Sequence, residues 1–259
     1  SLSNGARVFT NSVHQEEALV DYNMCVEIPE NVSDKSASFG AIGGIALQSI
    51  KCIPKNSHTI ALIGLGLLGQ VTLRILKSMG YKCFAYDIDF SKIELAEKHG
   101  AVGIRSNDIV EFIQNHTKGL GVDCTIIAAS SLSNEIVNDA TSYTKRYGKI
   151  ISSGLVGLNL IRDKFFKKQI ELVISNSSGD KNHKGEGSSY ENISYFFDLL
   201  LSEKIYVDDL ISEEVSFDYP ENIYSFPTKS LFFSKLIRYD VENINNSDTF
   251  IDDKSIINS

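Results

Sequence analysis

The sequence contains no tryptophan, only four prolines and only four cysteines among its 259 residues. The cysteines, Cys25, Cys52, Cys83 and Cys124, lie far apart, and none belongs to a CxxC pair. Disulfide frameworks and zinc knuckles depend on recurring or closely spaced cysteines, so the sequence indicates neither of them. Free thiols are typical of a reducing compartment, and we therefore expect a cytoplasmic protein.

Positive charge and long apolar runs are also scarce. The formal net charge is −8 and no dense tract of lysine and arginine is present, so nucleic acid is not expected as a partner. No apolar run approaches the roughly 20 residues that span a bilayer. The first residues, SLSNGARVF, lack the basic-then-apolar pattern of a signal peptide. We therefore expect no association with a membrane.

From residue 59 onward, apolar runs alternate with helical periodicity. Alternation of this kind is typical of a parallel sheet covered by helices on both faces, so we expect an α/β fold with a doubly wound, six-stranded sheet in residues 35–203. Ser91, Asn107 and Ser133 are expected to begin helices, with Glu94 completing a capping box after Ser91. The runs that predict strands are TIALIG, YKCFAYDID, AVGIRS, VDCTIIAAS, KIISSGL and IELVISNSS.

The segments on either side of this region have a different pattern. Residues 5–30 contain three strand-like pieces, ARVFT, ALVDY and CVEIP, with no helix between them. The strand-like pieces ISEEVSFD and LFFSKLIRYD come after residue 204, with a short helix expected near residues 219–226. We interpret both flanks as parts of a neighbouring β-rich unit, and the polar, acidic residues 242–259 as a tail or linker.

A glycine-rich turn, IALIGLGLLG in residues 60–69, joins the first of these strands to a helix. In such a turn Gly64 permits the sharp bend, Gly66 lets a pyrophosphate approach the backbone, and Gly69 lets the helix and the strand pack closely. The amides of Leu67 and Leu68 at the start of the helix are expected to meet the phosphates. The turn therefore predicts a dinucleotide site, although a tight strand–helix turn without a ligand is the alternative.

An acidic residue, Asp87, ends the second strand 18 residues after Gly69. A carboxylate at this place accepts hydrogen bonds from the adenine-ribose hydroxyls and would repel a 2′-phosphate. No arginine follows within the next few residues, so we expect NAD in preference to NADP. Lys92 is placed to reach ribose oxygens, although a solvated surface lysine is the alternative.

Several stretches together resemble the medium-chain dehydrogenase/reductases, and within them the zinc-type alcohol, threonine and polyol dehydrogenases. The resemblance runs from about Gly5 to Asp240. RDKFFKKQIELVISNSSG is similar, more locally, to members from bacterial polysaccharide gene clusters. The stretches that carry the family resemblance are IPENVSDKSASFGAIGGIALQSIK, IALIGLGLLGQ, YDIDFSKIELAEKHGA, GVDCTIIAAS and RYGKIISSGLVG.

The resemblance implies a Rossmann fold and assigns roles to individual residues. Gly64, Gly66 and Gly69 would carry the pyrophosphate of NAD, Asp87 would bind the adenine ribose, and Lys92 matches a ribose-contacting lysine. Ile88 would line the adenine slot. The nicotinamide would be bordered by Ala129, Ser130, Gly154 and Leu155. Backbone groups of Ser175 and Ser177 would contact the nicotinamide carboxamide.

The same resemblance implies that a catalytic domain precedes the Rossmann domain in this family and holds zinc through Cys and Gly-His-Glu motifs. We expect residues 1–34 to be a remnant of that GroES-like domain and residues 204–241 to be its returning strands and helix, so we interpret the chain as a fragment in preference to a natural short relative. No catalytic or metal-ligating residue is expected in this chain, and zinc is expected only in the missing domain.

His183, in the loop GDKNHKGEG, is expected to belong to a mobile loop, with a substrate contact as the alternative.

The implied activity is hydride transfer between the nicotinamide and a small secondary alcohol or ketone, such as a sugar or amino-acid alcohol, by a homodimer. The chain alone is expected to bind the cofactor without turnover. A regulatory module that senses NAD(H) is the main alternative, and a methyltransferase shares the glycine turn and the ribose acid. A short-chain dehydrogenase is excluded, because none of the 11 tyrosines has a lysine four residues later.

Overall fold

The computed structural model describes residues 2–15, 17–106, 108–180, 185, 187–225 and 231–239. The strands are β1 (Val8–Phe9), β2 (Val26–Glu27), β3 (Thr59–Ile63), β4 (Lys82–Tyr86), β5 (Val102–Gly103), β6 (Val122–Ile127), β7 (Thr144–Ser152), β8 (Glu171–Ile174), β9 (Ile211–Ser216) and β10 (Ser234–Arg238). The helices are α1 (Asp34–Ala37), α2 (Gly40–Lys51), α3 (Leu67–Ser78), α4 (Phe90–Lys98), α5 (Ile109–His116), α6 (Glu135–Tyr143), α7 (Arg162–Lys168), α8 (Ser189–Leu201) and α9 (Pro220–Ile223). Short 3₁₀ helices span Tyr22–Met24 and Asp208–Leu210.

Six parallel strands form the central sheet, in the order β5-β4-β3-β6-β7-β8. The chain winds outward from β3 through β4 to β5, then returns to the other side of β3 and winds outward again from β6 to β8. The predicted α/β fold with a doubly wound, six-stranded sheet is therefore confirmed. The direction of winding reverses between β3 and β6, and ligands of such sheets bind beyond the carboxyl ends of the strands at this place.

The two faces of the sheet bury separate apolar cores, as the period-two geometry of a strand requires. Along β3, Ile60 and Leu62 pack into a core with residues of α2, α3, α4 and α8. Ala61 and Ile63 point to the opposite face and pack with residues of α5 and α6. Because both faces are covered, this strand is apolar at every position after Thr59, which explains why the short apolar run predicted it.

Two predicted helix starts, those of α4 and α5, need correction because aspartates make the capping contacts there. Asp89, and not Ser91, caps α4: its Oδ1 accepts a 3.0 Å hydrogen bond from the amide of Ser91. Asp108 caps α5, whereas Asn107 lies outside the described residues. Ser133 precedes α6 by two residues, and its Oγ accepts a 3.1 Å hydrogen bond from the amide of Glu135. An aspartate has a carboxylate oxygen within reach of the first-turn amides and caps as well as a serine does.

The flanking strands are shorter than predicted. β1 and β2 pair antiparallel over two residues each, within ARVFT and CVEIP, but the prediction of a strand at ALVDY was wrong. There the side chain of Asp21 accepts a 2.7 Å hydrogen bond from the amide of Asn23 and starts the 3₁₀ helix instead. After the Rossmann region, β9 and β10 form a separate parallel pair, and α9 is the expected short helix.

The sequence analysis did not predict α2, which packs between α3 and α8. Glycine disfavours helices, and the segment carries three of them, Gly40, Gly43 and Gly44. A Cβ atom at Gly43 would lie only 2.3 Å from the ring of Phe196 on α8. The glycine therefore permits a close approach of two helices, and tertiary packing stabilises α2 in spite of its low intrinsic propensity.

None of the helices that the structure describes is long and apolar enough to cross a membrane.

Candidate cofactor-binding site

The three glycines of the turn between β3 and α3 have different surroundings. Gly64 has a φ of +92°, and a Cβ atom there would lie 2.6 Å from the amide nitrogen of Ala129. At Gly69 a Cβ atom would lie 2.0 Å from the carbonyl oxygen of Gly64. At Gly66 no atom of the described residues lies within 4 Å of the Cβ position. Gly64 and Gly69 are therefore required by the fold itself, whereas Gly66 leaves open space in front of the helix.

The first turn of α3 presents unpaired amides to that space. Gly66 is the N-cap residue and has no side chain to satisfy them. Its carbonyl oxygen accepts the amide of Gln70 at 2.9 Å, but the amides of Leu67 and Leu68 have no hydrogen-bond partner within the described part of the chain. Free amides and the helix dipole together favour an anion at this position.

Asp87 lies against the glycine turn, immediately after β4. Its Oδ2 accepts a 2.7 Å hydrogen bond from the amide of Leu65, and its Oδ1 accepts a 2.9 Å hydrogen bond from the amide of Asp89. An ionised carboxylate has about four acceptor positions, so two remain for a ligand. The carboxylate is thus oriented by backbone groups before any ribose arrives.

A cleft of about 680 Å³ opens at this edge of the sheet. Its volume lies within the range of small-molecule and cofactor sites. The cleft brings together half of the predicted site residues, and these are Gly64, Gly66, Asp87, Ile88, Lys92, Ala129 and Ser130.

The opposite wall of the cleft comes from α5 and α6, which the sequence analysis did not include in the site. Ile109, Ile136 and Tyr143 contribute apolar surface, and Glu135 and Asp139 contribute carboxylates. Burial raises the pKa of Tyr143, so its hydroxyl stays protonated. Positions 135, 139 and 143 recur every four residues and share one helix face, but this spacing by itself does not indicate that the face lines a cleft.

Two predicted nicotinamide residues that follow β7, Gly154 and Leu155, lie beside the cleft without lining it. A Cβ atom at Gly154 would lie 2.0 Å from the carbonyl oxygen of Ala129, so the two backbones are in contact. The carbonyl oxygen of Leu155 accepts a 2.8 Å hydrogen bond from the amide of Ser131, and the Leu155 side chain is 82% exposed.

Ser175 and Ser177 lie one strand further out, after β8. The amide of Ser175 continues the sheet ladder by donating to the carbonyl oxygen of Ser152 at 2.9 Å, while its Oγ is buried and has no hydrogen-bond partner among the described residues. Ser177 has a φ of +41°, and its amide donates to the carbonyl oxygen of Ser175 at 3.2 Å. Neither residue lines the cleft, and their contacts to the carboxamide stay a prediction.

Metal ligands are not grouped in the described ranges: no set of three or more His, Cys, Asp or Glu residues there could hold a metal ion. All four cysteines are free thiols. Burial raises the pKa of Cys83 and of Cys124 to about 12, so these thiols are poor ligands at neutral pH. His183 lies outside the described residues.

Sequence comparison finds relatives that match part of the chain. The profile of the family described as "Zinc-binding dehydrogenase" matches residues 68–186. An alcohol dehydrogenase of Geobacillus stearothermophilus is 30% identical over 143 residues, which are 53% of this chain and 41% of that protein. An alcohol dehydrogenase of Moraxella sp. (strain TAE123) is 26% identical over 151 residues, which are 56% of this chain and 43% of that protein. The chain thus spans about two fifths of the length of these relatives, at 41% and 43%.

Comparison with solved structures shows the same fold. 2R,3R-butanediol dehydrogenase of Bacillus subtilis superposes with a TM-score of 0.71 at 18% identity. The superposition covers 85% of this chain and 62% of the dehydrogenase chain. A short chain alcohol dehydrogenase of Escherichia coli CFT073, complexed with NADH, has a TM-score of 0.71 at 20% identity and coverages of 85% and 64%. A zinc-binding dehydrogenase of Sinorhizobium meliloti 1021, bound to NADP, has a TM-score of 0.71 at 20% identity and coverages of 84% and 63%.

Proposed function

We propose that this chain, whose Rossmann domain belongs to the zinc-type medium-chain dehydrogenase/reductases, supplies the NAD-binding part of an oxidoreductase that acts on a small secondary alcohol or its ketone. One observation carries the proposal. Asp87, the open position at Gly66 and the free amides of Leu67 and Leu68 all meet at one edge of the sheet, where the winding reverses. This combination matches what a dinucleotide requires, which is a carboxylate for the ribose hydroxyls and free amides beside an open stretch of backbone for the diphosphate.

The described residues fit NAD as follows. The diphosphate would bind the amides of Leu67 and Leu68, the adenine ribose would bind Asp87 and Lys92, and Ile88 would cover the adenine. The nicotinamide would lie toward Ala129 and Ser130, with Gly154, Leu155, Ser175 and Ser177 proposed beside it. Bound NAD supplies the hydride chemistry, while the protein binds and orients it.

The proposed preference for NAD over NADP rests on charge. Asp87 would repel a 2′-phosphate, and Glu135 and Asp139 add two more carboxylates to the cleft. Lys92 is the single cation among the cleft-lining residues of the described chain. Both cofactors occur among the similar solved structures, so the choice depends on these side chains.

The remaining proposals concern the whole enzyme. We propose that zinc and most substrate contacts come from outside the described residues, and that the chain by itself binds NAD without turning over alcohols. The division into residues 1–34, 35–203, 204–241 and 242–259 is proposed with the roles given above. A cytoplasmic homodimer, with neither nucleic acid nor a membrane as partner, completes this proposal.

Isothermal titration of the 259-residue chain with NADH, NAD and NADPH tests the cofactor part. The expected result is a 1:1 complex with NADH and NAD, and binding at least tenfold weaker for NADPH. Absence of heat and of a thermal shift with all three would overturn the proposal.

A second experiment separates an enzyme from a sensing module. The residues encoded immediately upstream of Ser1 would be added to the chain, and the longer protein would be screened with secondary alcohols and NAD. Zinc-dependent reduction of NAD supports the dehydrogenase. Cofactor binding without turnover of any alcohol, in a longer protein that lacks Cys and Gly-His-Glu motifs, would favour the sensing module.

A further inference from the structure

Two polar side chains are buried directly behind the glycine turn. Gln70 is 0% exposed and Arg74 is 3% exposed, and they lie one turn apart on α3. Burying an amide and a guanidinium is costly unless hydrogen bonds compensate. Their partners therefore indicate what the two residues do.

Gln70 connects the two segments that form the proposed ribose site. Its Nε2 donates to the carbonyl oxygen of Lys92 at 3.0 Å and lies 3.4 Å from the carbonyl oxygen of Leu65, which it also faces as a donor. Leu65 is the residue whose amide binds Asp87, and Lys92 lines the cleft. One carboxamide thus holds the glycine turn and the first turn of α4 at a fixed separation.

Arg74 determines which way this carboxamide points. Its Nη1 donates to Oε1 of Gln70 at 3.3 Å and to the carbonyl oxygen of Gln70 at 3.0 Å. A guanidinium can only donate, so the amide oxygen must face Arg74 and the amide nitrogen must face the two carbonyl oxygens. The alternative flipped amide would place two donors against each other and two acceptors against each other.

The charge of Arg74 is balanced by a carboxylate that is distant in the chain. Its Nη2 donates to Oδ2 of Asp209 at 2.6 Å and to Nε2 of His99 at 2.9 Å. Burial lowers the pKa of Arg74 and the carboxylate of Asp209 raises it again, so the guanidinium stays charged. Asp209 belongs to the 3₁₀ helix Asp208–Leu210, which follows the sheet by more than 30 residues in the chain.

We propose that Gln70 is a positioning residue of the cofactor cleft and that the Arg74–Asp209 pair fixes its orientation. This inference rests on the proposed function for its link to NAD. The chain of contacts Asp209–Arg74–Gln70 holds Leu65 and Lys92 in place before the cofactor binds, and thereby orients Asp87. Pre-ordering of this kind raises affinity because less freedom is lost on binding.

The test compares Gln70→Met and Gln70→Glu with a control variant at the opposite ends of the strands. Gln70→Met keeps the volume and removes all side-chain hydrogen bonds. Gln70→Glu keeps a partner for Arg74 and places a carboxylate oxygen against the two carbonyl oxygens. The control is Asp123→Asn, because Asp123 also ties two segments together through the amides of His58 and Thr59, but at the amino ends of the strands.

The first readout needs no cofactor. Amide hydrogen exchange at Leu65 is expected to become roughly tenfold faster in both Gln70 variants and to stay unchanged in Asp123→Asn. Exchange at Thr59 is expected to become faster in Asp123→Asn and to stay unchanged in the Gln70 variants. The second readout is NADH affinity, which is expected to fall about tenfold in the Gln70 variants. In the Asp123→Asn control it is expected to fall less than twofold, even where the free energy of unfolding drops by the same amount.

A double-mutant cycle tests whether Asp209 acts on the cleft through Gln70. Asp209→Asn, a partly exposed change, is expected to weaken NADH binding about fivefold in the parent chain and less than twofold in the Gln70→Met background. If Leu65 exchange in the Gln70 variants matches the control, or if the two changes are additive, the proposal is overturned. If the parent chain does not bind NADH, the proposed function fails, while Leu65 exchange in Gln70→Met, Gln70→Glu and Asp209→Asn still decides the positioning role.

Discussion

The amide of Leu65, inside the glycine turn, donates a 2.7 Å hydrogen bond to Oδ2 of Asp87 at the end of the neighbouring strand. The two residues are 22 positions apart in the chain and meet because β3 and β4 pair in parallel, with Ile63 opposite Tyr86. The proposed phosphate site and the proposed ribose site are therefore one connected structure, and changes in either should affect cofactor binding.

Replacing the carboxylate of Asp87 should weaken NADH binding and reduce the preference over NADPH. In Asp87→Asn we expect NADH affinity to fall roughly 10- to 100-fold, since hydrogen bonds to a charged group contribute about 1.5–3 kcal/mol. NADPH affinity should fall less, because repulsion of the 2′-phosphate is removed at the same time. Calorimetric titration measures both, and Asp89→Asn is the control, since asparagine still caps α4. Equal losses for the two cofactors would contradict the assigned role.

Two glycines of the turn should separate folding from binding. Gly66→Ala places a methyl group in open space and should cost less than about 1 kcal/mol of stability, yet weaken NADH binding more than tenfold by blocking the diphosphate. Gly69→Ala drives a methyl group against the carbonyl oxygen of Gly64 and should destabilise the fold by about 1–3 kcal/mol. Thermal unfolding and titration of both variants check this, and full NADH affinity in Gly66→Ala would argue against a diphosphate at that position.

Asp123 should contribute to stability at neutral pH and lose that contribution in acid. Burial alone would raise the pKa of Asp123, but hydrogen bonds from Lys145, from the amides of His58 and Thr59, and from the Thr59 hydroxyl lower it from 3.8 to about 2. A lowered pKa means that the folded state favours the ionised form. The contribution is therefore fully present above about pH 4 and is lost as the pH falls through about 2.

The Asp123→Asn variant measures this contribution. Urea unfolding should show a loss of about 2 kcal/mol at pH 7, from the shift and about 1.4 kcal/mol per pKa unit. The two stability curves should converge as the pH falls through about 2, because the parent carboxyl then becomes protonated in the folded state as well. A difference that stays constant from pH 7 to pH 2 would show that lost packing, and not charge, causes the effect.

The thiols of Cys83 and Cys124 should resist labelling until the chain unfolds. Both residues are 0% exposed, and burial raises the pKa of each to about 12, so very little thiolate forms at pH 8. Iodoacetamide pulses at increasing urea concentration, read by peptide mass spectrometry, should label these two positions along the global unfolding transition. Labelling of either one well before that transition would indicate local opening of the central sheet.

The strands and the glycine turn were predictable because their signals are local. Buried parallel strands appear in the sequence as short apolar runs, and the spacing of Gly64, Gly66 and Gly69 is typical of one strand–turn–helix unit. The starts of α4 and α5 were placed one or two residues away from the observed caps, because Asp89 and Asp108 cap a helix as well as serine or asparagine does. The helix α2 was missed because Gly43 lowers its propensity, and only Phe196, far along the chain, explains why glycine is needed there.

The sequence by itself determined the alternation of strands and helices, the glycine turn and the acid that follows the second strand, because each depends on neighbours within about 20 residues. The tertiary structure alone decided that α5 and α6 close the cleft, that Ser175 and Ser177 lie outside it, and that Arg74 meets Asp209, 135 positions away. Contacts between such distant residues depend on how packed elements are oriented in space, and neither composition nor periodicity encodes that orientation.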